Sequence, residues 1–209
     1  RREPVIIFDW DDTLMCSTEL KAQRHPGDEA LHLLEKAVAS VLSTAMSLGR
    51  TAIVTNANLV WVRETATLFL PGLLPLLDTI EIISARQLYE ERWPSNRVAW
   101  KRQAFQDILK EGASDERTSG SVNLVVLGDS PAEIEAGRAA VNKYGEHGSI
   151  VKTVKFKRAP AVKDLLGELK AVARHLRHLV DEDRSMSKLL VDHGFRGWTL
   201  RDSSCTALL

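Results

Sequence analysis

The chain has 209 residues, enough for one well-cored domain and little more. Apolar content of 44% and charged content of 27% are those of a globular protein, and matched totals of 28 basic and 28 acidic residues argue against a global field aimed at nucleic acid or membrane. The two cysteines, Cys16 and Cys205, lie far apart without metal-ligand spacing, which points to a reduced, intracellular and most simply cytoplasmic chain, not a disulfide framework.

No apolar run reaches the roughly 18 residues of a membrane span, and no secretory signal is visible. The sequence begins at Arg1 without a methionine, which leaves an organellar destination after transit-peptide removal open.

The first predicted strand, Val5 to Phe8, runs straight into Asp9-Trp10-Asp11-Asp12-Thr13. An apolar run with an abrupt polar end reads as a buried parallel strand that delivers carboxylates to a crevice. Three carboxylates so close repel one another unless a cation or a shared proton intervenes, so the stretch asks for a metal. Residues Met15 to Gly27 read as irregular, ending at Pro26-Gly27. A long helix follows, with Asp28 as N-cap and Gly49 beyond its end; Leu31, Leu34, Val38, Val41, Ala45 and Leu48 make one apolar face.

The second strand, Thr51 to Thr55, ends in the small polar run Thr55-Asn56-Ala57-Asn58. A helix over Leu59 to Phe69 comes next, then a third strand over Thr79 to Ser84 and a short helix to Glu91. Another helix opens at Arg97 and carries Lys101, and a polar loop covers Glu111 to Gly120. The fourth strand, Val122 to Leu127, ends in Gly128-Asp129-Ser130 and feeds a helix through Val141. A fifth strand spans Ser149 to Phe156, and a last helix spans Pro160 to Leu179. Residues 181–209 show weak periodicity and form a tail after a domain of residues 1–180.

Strands alternating with helices predict an α/β protein: a three-layer α/β/α sandwich around a Rossmann-like parallel sheet of about five strands. Ligands of such sheets sit beyond the carboxyl ends of the strands, where the strand order reverses. The polar ends of the first, second and fourth strands converge there if the first strand lies between the other two.

Asp9-Trp10-Asp11-Asp12-Thr13 resembles the DxDxT motif of the haloacid dehalogenase (HAD) superfamily of phosphatases and related enzymes. Thr55, Lys101 and Gly128-Asp129-Ser130 with Glu133 resemble that superfamily's second, third and fourth motifs, in the right order over residues 4–157. Stretches such as Ala45 to Gly49, Ser84 to Arg86 and Trp100-Lys101 are similar to a group of HAD-like proteins from protists and algae.

The resemblance implies a magnesium-dependent phosphohydrolase. Asp9 is then the nucleophile that forms an aspartyl-phosphate, and Asp11 the acid and base. Thr55 and Asn56 lie where substrate binds, and Lys101 stabilises the developing phosphoryl charge. The implied ligands of Mg2+ are Asp9, Asp129, the backbone carbonyl of Asp11, and Glu133 directly or through water. Taken singly, Thr55, Lys101 and Glu133 are ordinary structural or surface residues; only their order gives them weight. Cys16 has no basic partner in sequence and reads as an inert thiol, Trp10 as a packing or mouth residue, and Asp12 as a backbone or capping residue.

The intervals after the first and second motifs have no room for a large cap domain. An open site suits a bulky or macromolecular phosphorylated substrate, or a protein partner that closes it, with the tail as a lid or docking segment; neutral charge does not favour nucleic acid. Asp11 argues against a dehalogenase and the absent cap against a phosphomutase. The rival from another class is a non-catalytic HAD-like structural or scaffolding subunit of a larger assembly.

Overall fold

The computed structural model describes residues 4–22, 26–113, 121–144 and 148–203. β1 (Pro4–Phe8) is followed by α1 (Ser17–Lys21), α2 (Asp28–Leu48), β2 (Arg50–Thr55) and α3 (Leu59–Phe69). A 3-10 turn (Pro71–Leu73) leads to α4 (Leu74–Leu77), β3 (Glu81–Ser84), α5 (Ala85–Tyr89) and α6 (Arg97–Ala113). Then come β4 (Asn123–Gly128), α7 (Pro131–Tyr144), β5 (Ile150–Lys155), α8 (Val162–Asp181), β6 (Met186–Asp192), a 3-10 turn (Gly194–Arg196) and β7 (Trp198–Asp202).

The strands form one sheet in the order β3-β2-β1-β4-β5-β6-β7. β1 to β6 run parallel, and β7 returns antiparallel to β6. The chain starts at the centre, builds outward to β3, then crosses back over β1 to β4. That reversal opens a crevice between the carboxyl ends of β1 and β4.

Alternate side chains of β1 enter different cores. Ile6 and Phe8 pack with α2, α3 and α8 through Leu34, Val38, Val62, Leu165 and Leu169. Ile7 packs on the other face with α5, α6 and α7 through Ala85, Trp100, Phe105, Ala136 and Ala140. The expected α/β/α sandwich is therefore present, and a strand covered on both faces explains why β1 and β4 read as unbroken apolar runs. Among the described residues the intervals between β1, β2 and β4 hold only these layer helices and β3, with no separate cap.

The expected boundaries need four corrections. Ser17–Lys21 is a short helix where an irregular stretch was expected. Asp28 is the first residue of α2, with Gly27 at the N-cap, so its charge favours the helix through the dipole and not through a cap bond. α6 extends to Ala113, and the rest of the expected loop, residues 114–120, lies outside the described residues. The fourth concerns the tail. Up to Asp202 it is the sheet's own edge, β6 and β7, which makes seven strands where about five were expected. A Cβ on Gly167 would overlap the Trp198 ring, so α8 and β7 meet at a position that only glycine fills. Cys205 and the other residues past Ser203 lie outside the described residues.

One buried acid in this frame has an uneven set of partners. Glu168 of α8 is fully buried; its Oε1 accepts from the Lys157 backbone N–H at 2.7 Å, and its Oε2 has no partner among the described residues. Burial pushes its carboxyl up to about 8. A folded-state value above the unfolded one contributes stability at low pH that is lost as pH rises through about 8. Glu168→Gln is therefore expected to gain on the wild type in urea melts between pH 5 and pH 8, by at most about 1.4 kcal/mol per pH unit. Parallel pH profiles of the two proteins would contradict this.

Candidate catalytic and metal site

The acids reach the crevice because β1 ends abruptly. The Asp9 N–H still donates to Leu127 O at 3.0 Å, continuing the pairing with β4, after which the chain turns back on itself. The N–H groups of Leu14 and Met15 both donate to Trp10 O at 3.0 Å, and Asp12 donates to Met15 O at 2.7 Å. Asp12 takes the left-handed conformation, φ 55°, which aspartate tolerates better than most residues. Its carboxylate accepts from the Thr18 N–H at 2.9 Å and from the Thr18 hydroxyl at 2.5 Å, tying the turn to α1. The capping role expected of Asp12 is what the geometry shows.

Asp9 is 6% exposed. Its Oδ1 accepts from the Trp10 N–H at 2.8 Å and meets Lys101 Nζ at 2.8 Å. Lys101, 1% exposed, also contacts Glu133 Oε1 at 2.5 Å. Glu133 Oε2 accepts from the N–H and hydroxyl of Ser130, at 2.8 and 2.6 Å. Carboxylate oxygens of Asp9, Asp129 and Glu133 all lie within 4.8 Å of one another. The backbone oxygen of Asp129 accepts from Lys155 Nζ of β5. The helix acid and helix lysine that looked unremarkable alone are thus both buried at the site.

Gly128 makes this approach close. A Cβ there would lie 2.5 Å from Glu133 Cγ, so any larger residue displaces the acid that holds Lys101.

The charges do not balance. Asp9, Asp129 and Glu133 face the buried ammonium of Lys101, with the half-buried ammonium of Lys155 beside Asp129. Burial pushes Asp9 up to about 7 against the pull of Lys101, with Glu133 and Asp129 adding repulsion. Burial likewise pushes Asp129 up to about 6, with Glu133 and Asp12 adding to it. Burial alone depresses Lys101, but Asp9 and Glu133 outweigh it and hold the ammonium above its ordinary value. Glu133 is held low because Lys101 and Ser130 overcome its burial. A hard divalent cation among the oxygens would remove the repulsion, and an all-oxygen donor set fits such a cation. Both Glu133 oxygens are engaged within the chain, and so is Asp9 Oδ1, which leaves Asp129 as the carboxylate of the three with no side-chain hydrogen bond among the described residues.

Asp11 belongs to the crevice but not to this cluster. Its Oδ1 accepts from Trp61 Nε1 at 2.9 Å, and its carboxylate is not among the clustered oxygens. Thr55, fully buried, ends β2 beside β1; its Oγ1 accepts from the Ala57 N–H at 3.0 Å, and its own proton stays available. Asn56 donates weakly to Arg97 O at 3.4 Å, while its Oδ1 is buried without a partner among the described residues. The amide NH2 keeps a second N–H donor beyond that bond.

Trp10 is a packing residue, fully buried with Nε1 donating to Thr65 Oγ1 at 3.1 Å. Cys16 is buried, and burial pushes its thiol up to about 12, the inert state expected of it. Arg86 turns away to Glu90 at 2.8 Å on an exposed helix face.

No family model, curated protein or solved structure matches the chain. What can be said of this site therefore comes from its own geometry.

Three partners escaped the sequence, one of them Lys155, which reaches Asp129 from β5. Ser130 stood inside a recognised motif without a role, and its position three residues before Glu133 was the signal. Trp61 had no signal beyond standing in the first turn of the helix after β2.

A cation that binds the folded chain and not the unfolded one raises the melting temperature with its concentration. Millimolar magnesium is expected to stabilise the wild type and to leave Asp129→Asn unchanged. Equal shifts in both proteins would contradict ligation by Asp129.

Proposed function

We propose that the chain is a magnesium-dependent phosphohydrolase of the HAD type, acting through an aspartyl-phosphate. One observation carries the reading: a buried carboxylate at the switch point between β1 and β4 is held by a buried lysine beside two further carboxylates. A structural acid has no need of that crowding.

The steps follow from where the groups stand. Asp9 Oδ2 has no partner among the described residues, whereas Oδ1 is fixed by Lys101 and the Trp10 N–H. Oδ2 attacks phosphorus, and the new O–P bond forms as the ester P–O bond breaks. Asp11 gives its proton to the departing oxygen. Asp11 then takes a proton from water, whose oxygen bonds phosphorus as the bond to Asp9 breaks. Inorganic phosphate leaves, and both carboxylates return to their starting states. Lys101 faces the charge developing on the phosphoryl oxygens, and the Thr55 hydroxyl donates to one of them. Asp129, with Asp9 through Oδ1, the oxygen not used in the attack, would hold magnesium, which when bound would offset phosphoryl charge as a Lewis acid.

The crevice lies at the open carboxyl edge of the sheet without a cap, which suits phosphate on a bulky or macromolecular carrier. The hairpin between β6 and β7 stands at the same edge, because β6 runs parallel to β5, and it presents Phe195 fully to solvent. That makes it a contact point for such a carrier or for a protein partner.

The test is hydrolysis of an aryl phosphate with magnesium. Asp9→Asn, nearly isosteric, is expected to lose activity by roughly a thousandfold or more while still folding, as checked by circular dichroism. An inactive wild type across varied phosphoesters would contradict the enzyme and favour the scaffolding subunit.

A further inference from the structure

The residue expected to move protons is itself held by a group outside every motif. Trp61 Nε1 donates to Asp11 Oδ1 at 2.9 Å. Four residues on, Thr65 Oγ1 accepts from Trp10 Nε1 at 3.1 Å. Residues four apart share one face of a helix, so α3 grips two successive residues of the acidic turn with one face. The grip is braced on both sides. Asn58 caps α3 by accepting the Trp61 N–H at 2.6 Å. From α1, Lys21 Nζ lies 4.6 Å from the Trp61 ring centroid, a cation–π contact that ties the indole to the helix following the turn.

We propose that Trp61 is the positioning residue of the acid–base carboxylate, fixing Asp11 by its Oδ1 so that proton transfer runs through Oδ2. The inference rests on the phosphohydrolase reading. An indole N–H donates and cannot accept. A protonated carboxyl accepts best at its carbonyl oxygen, so the bond to Oδ1 favours a proton of Asp11 on Oδ2. No other partner of the Asp11 carboxylate is found among the described residues. As the ester bond breaks, the proton passes from Oδ2 to the departing oxygen; Oδ2 later receives the proton of the attacking water. Without the indole, the carboxylate rotates between rotamers and the proton is placed on either oxygen. The transfer step then loses its orientation, while phosphate binding at Thr55 and Lys101 is untouched.

This role differs in a measurable way from simple support of the fold. Protonation of the leaving oxygen matters for an alkoxide and little for a nitrophenolate. The ratio kcat/KM reports steps only through the first irreversible one, the transfer of phosphorus to Asp9. Wild type, Trp61→Phe and Asp11→Asn are compared on p-nitrophenyl phosphate and 2-phenylethyl phosphate with magnesium. Trp61→Phe keeps a ring under Lys21 and removes the donor. It is expected to lower kcat/KM for the alkyl ester about tenfold more than for the aryl ester, in the direction of Asp11→Asn and by less. Asn58→Ala, which leaves the indole in place but frees the turn carrying it, is expected to shift the ratio the same way by a smaller factor. It provides the reading if Trp61→Phe does not fold.

Losses equal on both esters in folded variants, or none, overturn the positioning role and leave the phosphohydrolase standing. A wild type that cleaves neither ester overturns both.

Discussion

Lys101 places its ammonium between Asp9 and Glu133, almost without solvent, and the rest of the site answers to that one buried charge. A buried ammonium is tolerated only when paired and hydrogen-bonded. The lysine in turn fixes Oδ1 of Asp9, while Oδ2 has no partner among the described residues. Glu133 is not interchangeable with the other two acids. Ser130 holds one of its oxygens and Lys101 the other, so its work is to hold the lysine, and Gly128 is there to let it come close.

The sheet explains why these groups meet at all. Asp9 and Asp129 are 120 positions apart in sequence, yet β1 and β4 are hydrogen-bonded neighbours, paired from Pro4 with Asn123 to Phe8 with Leu127. Both strands end at the same level, where the strand order reverses. Thr55 arrives from β2 on the other side of β1. The excess of negative charge that results is destabilising by itself, and a structure that keeps it points to a cationic ligand.

Much of this was legible in the sequence because it is written in local patterns. The apolar run Val5 to Phe8 and its counterpart before Gly128 announce strands buried on both faces, and the acids following them mark strand ends. The stripe of α2 from Leu31 to Ala45 is buried as its spacing requires. The edge of the sheet was not legible. β6 lies where only Leu190 is buried, so Ser187 and Lys188 are tolerated and the strand pattern is blurred. Nor can spacing show a contact such as Trp61 with Asp11, which are 50 residues apart and brought together only by the fold. The part of Glu133 in holding Lys101 was equally hidden. It depends on which oxygen faces which donor.

The central claim is that Asp9 carries phosphorus during turnover. Borohydride reduces an acyl phosphate to an alcohol and leaves free carboxylates alone. Enzyme quenched during turnover, reduced and digested, is expected to show homoserine in place of Asp9 by peptide mass spectrometry, and none when substrate is omitted. Steady hydrolysis with Asp9 unmodified, or with the modification at another carboxylate, would contradict the account.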